Sequence, residues 1–86
     1  MSELCRFLGI IIAMFADDHN PPHIHVRYGS FKASITIENC IVTGSLPRTV
    51  LKSVFEWMDL HHDELLENWE RLHNDQIAIK IEPLKR

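Results

Sequence analysis

The stretch "IHVRYGSFKASI" sets two runs of alternating character on either side of Gly29-Ser30, Ile24 to Tyr28 before it and Phe31 to Glu38 after it. A two-residue connection containing glycine is a hairpin signal, because glycine reaches the positive backbone angles that so tight a reversal needs. Such a turn fixes the register. Tyr28 then faces Phe31, Val26 faces Ala33 and Ile24 faces Ile35, which stacks one apolar row, since residues two apart share a face. The opposite row pairs Arg27 with Lys32, His25 with Ser34 and His23 with Thr36. Both histidines fall on the polar face.

Other elements follow from the same pattern logic. Gly9 to Phe15, "GIIIAMF", reads as a strand apolar on both faces, suited to the interior of a sheet or to an outer face covered by a partner. Asn39-Cys40 reads as a second turn into a short strand, Ile41 to Thr43, closed by Gly44. Pro47 suits the first position of a helix, and Leu51, Val54 or Phe55, and Met58 recur at helical spacing. The pattern resumes in Leu65, Leu66, Trp69 and Leu72. One helix from Pro47 to His73 would be about 40 Å long, more than a small sheet can cover, so a break is expected near "LHHDEL". Asp63 and Glu64 then open the second helix as favourable first-turn acids. Ile77, Ile79 and Ile81 alternate with Ala78, Lys80 and Glu82 as a final strand stopped by Pro83. The expected fold is α+β: residues 1–86 form a single domain of order β-β-β-β-α-α-β, a small curved antiparallel sheet with two C-terminal helical segments on one face.

Size and charge restrict function. A chain of 86 residues holds one modest core and excludes a multi-domain enzyme. The formal net charge is -3, and Arg48 to Gln76 carries three basic residues against seven acidic ones. That half would repel a nucleic-acid backbone, which argues against nucleic acid as a partner and leaves only Arg27, Lys32, Lys85 and Arg86 for such a contact. The apolar run Leu8 to Phe15 is too short for a bilayer, so no membrane role is expected. Cys5 and Cys40 lack a CxxC spacing and a secretory leader is not evident, which points to the cytoplasm and to reduced thiols.

The segment "DDHNPPHIHV", Asp17 to Val26, concentrates ligand-type side chains. His23 and His25, two apart on one strand face, can place two imidazoles around one metal ion, with Asp17, Asp18 or His19 as a third ligand if the proline turn folds back. The competing reading is structural. The prolines stiffen the turn, and the histidines hydrogen-bond across the hairpin to Thr36 and Ser34. No HExxH motif, nucleophile elbow or glycine-rich phosphate loop is present. Interaction or ligand-binding candidates are therefore Asp18, His19, His23, His25, Arg27 and Tyr28, and the metal candidates among them are His23, His25, His19 and Asp18. Trp57 and Trp69 read as core or interface anchors, His61 and His62 as lining a helix junction, and His73 as solvated near a helix end.

"RFLGIIIAMFADDHNPPHIHVRYG", "LPRTVLKSVFEWMDLHHDELLENWERL" and "KIEPL" together resemble a small bacterial family catalogued as domain of unknown function 4160. The resemblance covers nearly the whole chain. It carries onto Asp18, His19, Pro21, Pro22, His23, His25 and Tyr28, and onto Trp57, His61, Leu65, Trp69, Ile81, Glu82, Pro83 and Leu84. It implies no established reaction. Members resemble partners of another small protein, and some carry a toxin-antitoxin label. The expected function is accordingly a protein-interaction module without a cofactor, acting on another small protein or on its own copy, as one component of a toxin-antitoxin-like pair. The alternative is a metal-dependent hydrolase acting on a phosphate ester or nucleic acid through His23 and His25, with zinc or another divalent metal as cofactor, Asp18 or His19 as third ligand and Arg27 holding the anion.

Overall fold

The structure, a computed structural model, describes residues 2–85; Met1 and Arg86, the latter one of the four candidate basic contacts, lie outside the described residues. Five strands come first: β1 (Ser2–Phe7), β2 (Ile10–Met14), β3 (His23–Tyr28), β4 (Phe31–Thr36) and β5 (Val42–Ser45). Two helices follow, α1 (Arg48–Leu60) and α2 (His62–His73). The sheet is an antiparallel meander in the order β1-β2-β3-β4-β5, with β1 and β5 at its edges. Its central hairpin has the register required by the turn, with Tyr28 opposite Phe31 and His23 opposite Thr36. The helices break at His61, within the stretch where an unbroken helix would outrun the sheet.

The expected curved sheet and the order β-β-β-β-α-α-β are both corrected. The sheet is open, not curled or closed on itself, and the observed order is β-β-β-β-β-α-α. The strand missing from the expectation is β1. It was hidden for two reasons: the β1–β2 turn is Leu8-Gly9, with Leu8 at φ 51 where sequence patterns favour asparagine or aspartate, and a bulge disrupts the alternation. The register shifts between Glu3 and Cys5, so that Leu4 and Cys5 are both buried while Glu3 and Arg6 share the other face.

The expected last strand fails for a different reason. Ile77 to Ile81 joins no strand ladder; three of its backbone hydrogen bonds go to side chains and one goes to the backbone of β1. The Asn68 side-chain Nδ2 donates to the Ile79 carbonyl at 2.8 Å, and the Ile79 N–H donates to Asn68 Oδ1 at 2.8 Å. Arg71 Nε donates to the Ile77 carbonyl, and the Ile81 N–H donates to the Leu4 carbonyl. Alternation of isoleucines reports an extended chain; it does not report what fills the hydrogen bonds. Ile77 is accordingly 84% exposed, whereas Ile81 is buried.

One face of the sheet supplies Leu4, Phe7, Ile10, Ile12, Met14, Ile24, Val26 and Ile35 to the core, and the helices cover it with Val50, Val54, Trp57, Leu65, Trp69 and Leu72. Trp57 is fully buried, its ring 5.9 Å from that of Phe7, and its indole Nε1 donates to the Glu82 carbonyl at 2.7 Å. A buried indole needs such an acceptor. Cys5 is buried and Cys40 half-buried, both as free thiols, and burial pushes both thiols up from their ordinary value. Among the described residues no helix is long and apolar enough to cross a membrane.

Asn68, at 2% exposure, is the buried polar side chain that replaces a missing strand neighbour. Asn68→Ala is expected to lower the free energy of unfolding by about 1–3 kcal/mol, since it leaves Ile79 backbone groups unpaired. Urea denaturation of the two proteins measures this, and an unchanged midpoint would contradict the clamp.

Candidate metal centre

His23 and His25 point from the same face of β3, and their ring centroids lie 5.1 Å apart. The loop before β3 folds back so that one carboxylate oxygen meets both: Asp18 Oδ2 lies 2.8 Å from His25 Nε2 and 3.2 Å from His23 Nε2. The loop is held at both ends. The Asp18 N–H donates to the Phe15 carbonyl, and the Ile37 N–H donates to the Pro22 carbonyl at 3.0 Å, which ties the proline segment to the end of β4. The Asn20–Pro21 peptide is cis.

His23 has a defined orientation. Its Nδ1 donates to the Pro21 carbonyl at 2.8 Å, because a carbonyl can only accept. With the proton fixed on Nδ1, Nε2 is the nitrogen free to act as a ligand, the arrangement found when a backbone carbonyl orients a metal-binding histidine. Neighbouring rings pack around the pair. Phe15 stands edge-on to His25 at 4.5 Å between centroids, and Trp69 lies 5.4 Å from His23.

A third histidine reaches the loop from the far end of the chain. His73, in the last turn of α2, stacks on Trp69 at 4.2 Å. Its Nδ1 donates to the Trp69 carbonyl and its Nε2 to the Asp18 carbonyl, each at 2.8 Å. Two carbonyl acceptors require two ring protons, so His73 is an imidazolium in this arrangement. The Asp18 carbonyl, and secondarily the Trp69 carbonyl, hold its pKa above the ordinary value. Thus α2 is latched to the loop that carries the third donor.

One oxygen of Asp18 and one nitrogen each of His23 and His25 lie within 4.8 Å of one another, all three residues half-buried. Metal bonds of 2.0–2.1 Å in tetrahedral geometry place donors about 3.3 Å apart, so small side-chain rotations bring this set around one ion. Two imidazoles and a carboxylate suit zinc and its first-row neighbours. Of the other residues singled out in the sequence, Asp17 and His19 are exposed and stand outside this set. Arg27 is exposed on the same sheet face as His25, and Tyr28 turns the other way to pack against the core. The hydrogen bonds expected from the histidines to Thr36 and Ser34 are replaced by those to Asp18 and Pro21; Thr36 Oγ1 instead accepts from the Ile41 N–H. Sequence reasoning missed the part of His73. Its only local signal is the four-residue spacing from Trp69, which puts both rings on one helix face.

Residues 9–70 match the family described as Domain of unknown function (DUF4160). The chain belongs to the DUF4160 family. The matched part of this DUF4160 domain runs from the β1–β2 turn into α2 and contains all three donors, while the whole of β1 and His73 lie outside it. No curated protein and no solved structure matches the chain.

The His73 latch has a pH signature. A folded pKa above the unfolded value of about 6.5 contributes stability that is complete below that value and is lost as pH rises through the folded pKa. The stability difference between the native protein and His73→Gln should therefore be larger near about pH 6 than near about pH 9. Urea denaturation at both pH values measures it, and a difference independent of pH would contradict a charged latch.

Proposed function

We propose that this DUF4160 domain is a divalent-metal centre that hydrolyses a phosphate ester, with His23 Nε2, His25 Nε2 and Asp18 Oδ2 as its three protein ligands. The observation that carries this reading is the convergence of one donor atom from each of these residues within 4.8 Å of the others, with Asp18 Oδ2 at 2.8 and 3.2 Å from the Nε2 atoms of His25 and His23. Three protein ligands leave a position for water or substrate, the form in which zinc sites are catalytic. A bound divalent ion would supply Lewis-acid polarisation of a phosphoryl oxygen and activation of water. The protein's own residues do the rest: Pro21 orients His23, the β3 backbone aligns His25, and the His73 latch positions Asp18.

The interaction module rests on the apolar strand Gly9 to Phe15 and on family resemblance, and the toxin-antitoxin pairing on family resemblance alone; the convergence of His23, His25 and Asp18 favours the metal centre over both. The reading places the protein in the cytoplasm, where thiols such as Cys5 and Cys40 persist in reduced form.

Titration of the metal-free protein with zinc and with manganese, followed by calorimetry and by histidine ring NMR, tests the proposal. One equivalent should bind, and the His23 and His25 rings should shift together. Asp18→Asn and His25→Gln should each weaken binding by at least about tenfold, as loss of a ligand costs no less than loss of its orienting partner. The loaded native protein should release 4-nitrophenol from 4-nitrophenyl phosphate, and both variants should lose that activity. Absence of ring shifts up to millimolar metal would refute the centre.

A further inference from the structure

The face of the sheet turned away from the helices is not a featureless polar surface. It holds a cavity of about 520 Å³, within the range of small-molecule sites. Register assigns its floor. One cross-strand row runs Ala13, His25, Ser34 and Thr43, and the next runs Arg6, Ile11, Arg27 and Lys32. Ile11, Ala13 and Phe15 give the β2 side of the cavity an apolar strip, and His25 of the proposed metal centre lines the same cavity.

The second row has a charge arrangement that stability does not explain. Arg6 is neutralised by Glu3 at 2.8 Å, made possible by the bulge that puts both on this face. Arg27 and Lys32 stand directly opposite each other on neighbouring strands, and among the described residues neither has an ion-pair partner. Like charges directly opposite in a sheet destabilise it. Local rules broken without a compensating contact concentrate where a ligand completes the arrangement. A dianion between the two side chains would do so.

We propose that this cavity binds a phosphate monoester with a small apolar group, its phosphoryl oxygens held by Arg27 and Lys32 and its apolar group lying on Ile11, Ala13 and Phe15. The proposal deepens the metal reading and rests on it for one point, that the bound monoester is the molecule that reacts, since His25 lines the same cavity. A monoester carries close to two negative charges near neutral pH, which matches two unpaired cations. A polynucleotide fits poorly, because two cations neutralise too few phosphates and the helical half of the chain is acidic.

Phenylphosphonate, whose carbon–phosphorus bond is not an ester, is the probe. Amide NMR titrations of the metal-free and zinc-loaded full chain should show saturable shifts at Ile11, Ala13, Arg27 and Lys32 in both forms. Inorganic phosphate, which lacks the apolar group, and benzyl alcohol, which lacks the charge, should each bind at least about tenfold more weakly. The double variant Arg27→Gln, Lys32→Gln should lose at least about tenfold in phenylphosphonate affinity while keeping its zinc affinity. It should also be no less stable to urea than the native chain, because a like-charge pair has been removed. Shifts absent from this face, equal binding of inorganic phosphate, or undiminished binding by the double variant would overturn the pocket. Tighter binding of a short single-stranded oligonucleotide would overturn the ligand class. Zinc binding without phenylphosphonate binding rejects the pocket alone, and phenylphosphonate binding without zinc binding supports the pocket and rejects the metal centre.

Discussion

The two-residue turn at Gly29-Ser30 decides which side of the sheet every β3 and β4 side chain occupies. A slip of one residue would send Ile24, Val26 and Ile35 to solvent and His23, His25 and Arg27 into the core, at a cost of several buried apolar side chains. The register is therefore held by core burial on one face, and the opposite face inherits its chemistry as a consequence. Two histidines and two cations share that face because the apolar residues between them have no alternative.

With the faces fixed, the loop between β2 and β3 needs only to bring one carboxylate back over the imidazoles. It does so through contacts at separate points: Pro22 held by Ile37, Pro21 accepting from His23, and the Asp18 carbonyl accepting from His73. The last of these spans 55 residues and links the loop to α2. Positioning by three independent contacts makes the donor set rigid, which a coordination site requires of its supporting shell. The same rigid frame carries the uncompensated Arg27–Lys32 pair a short distance away on the sheet face.

Much of this was legible in the chain itself. Alternation and the glycine turn gave the hairpin register residue by residue, and the length argument called for a break near "LHHDEL", which the structure puts at His61. The histidine pair was legible because a strand has only two faces. Asp18 could be named as one of several possible third ligands, but choosing it over Asp17 and His19 required the fold of the loop. The N-terminal strand was not legible, since its bulge buries Leu4 beside Cys5 and its turn begins with leucine at positive φ. Neither was the fate of Ile77 to Ile81, where Asn68 supplies hydrogen bonds that a sequence pattern assigns to a neighbouring strand. His73 reaches the site through tertiary packing, and no local pattern encodes a contact with a carbonyl so distant in sequence.

The central claim concerns coordination, and X-ray absorption at the zinc edge on the protein loaded with one equivalent reads it directly. The account predicts a shell of two imidazole nitrogens at about 2.0–2.1 Å with oxygen at about 2.0–2.2 Å, falling to one imidazole in His25→Gln. A shell without imidazole, or one unchanged in His25→Gln, would contradict it.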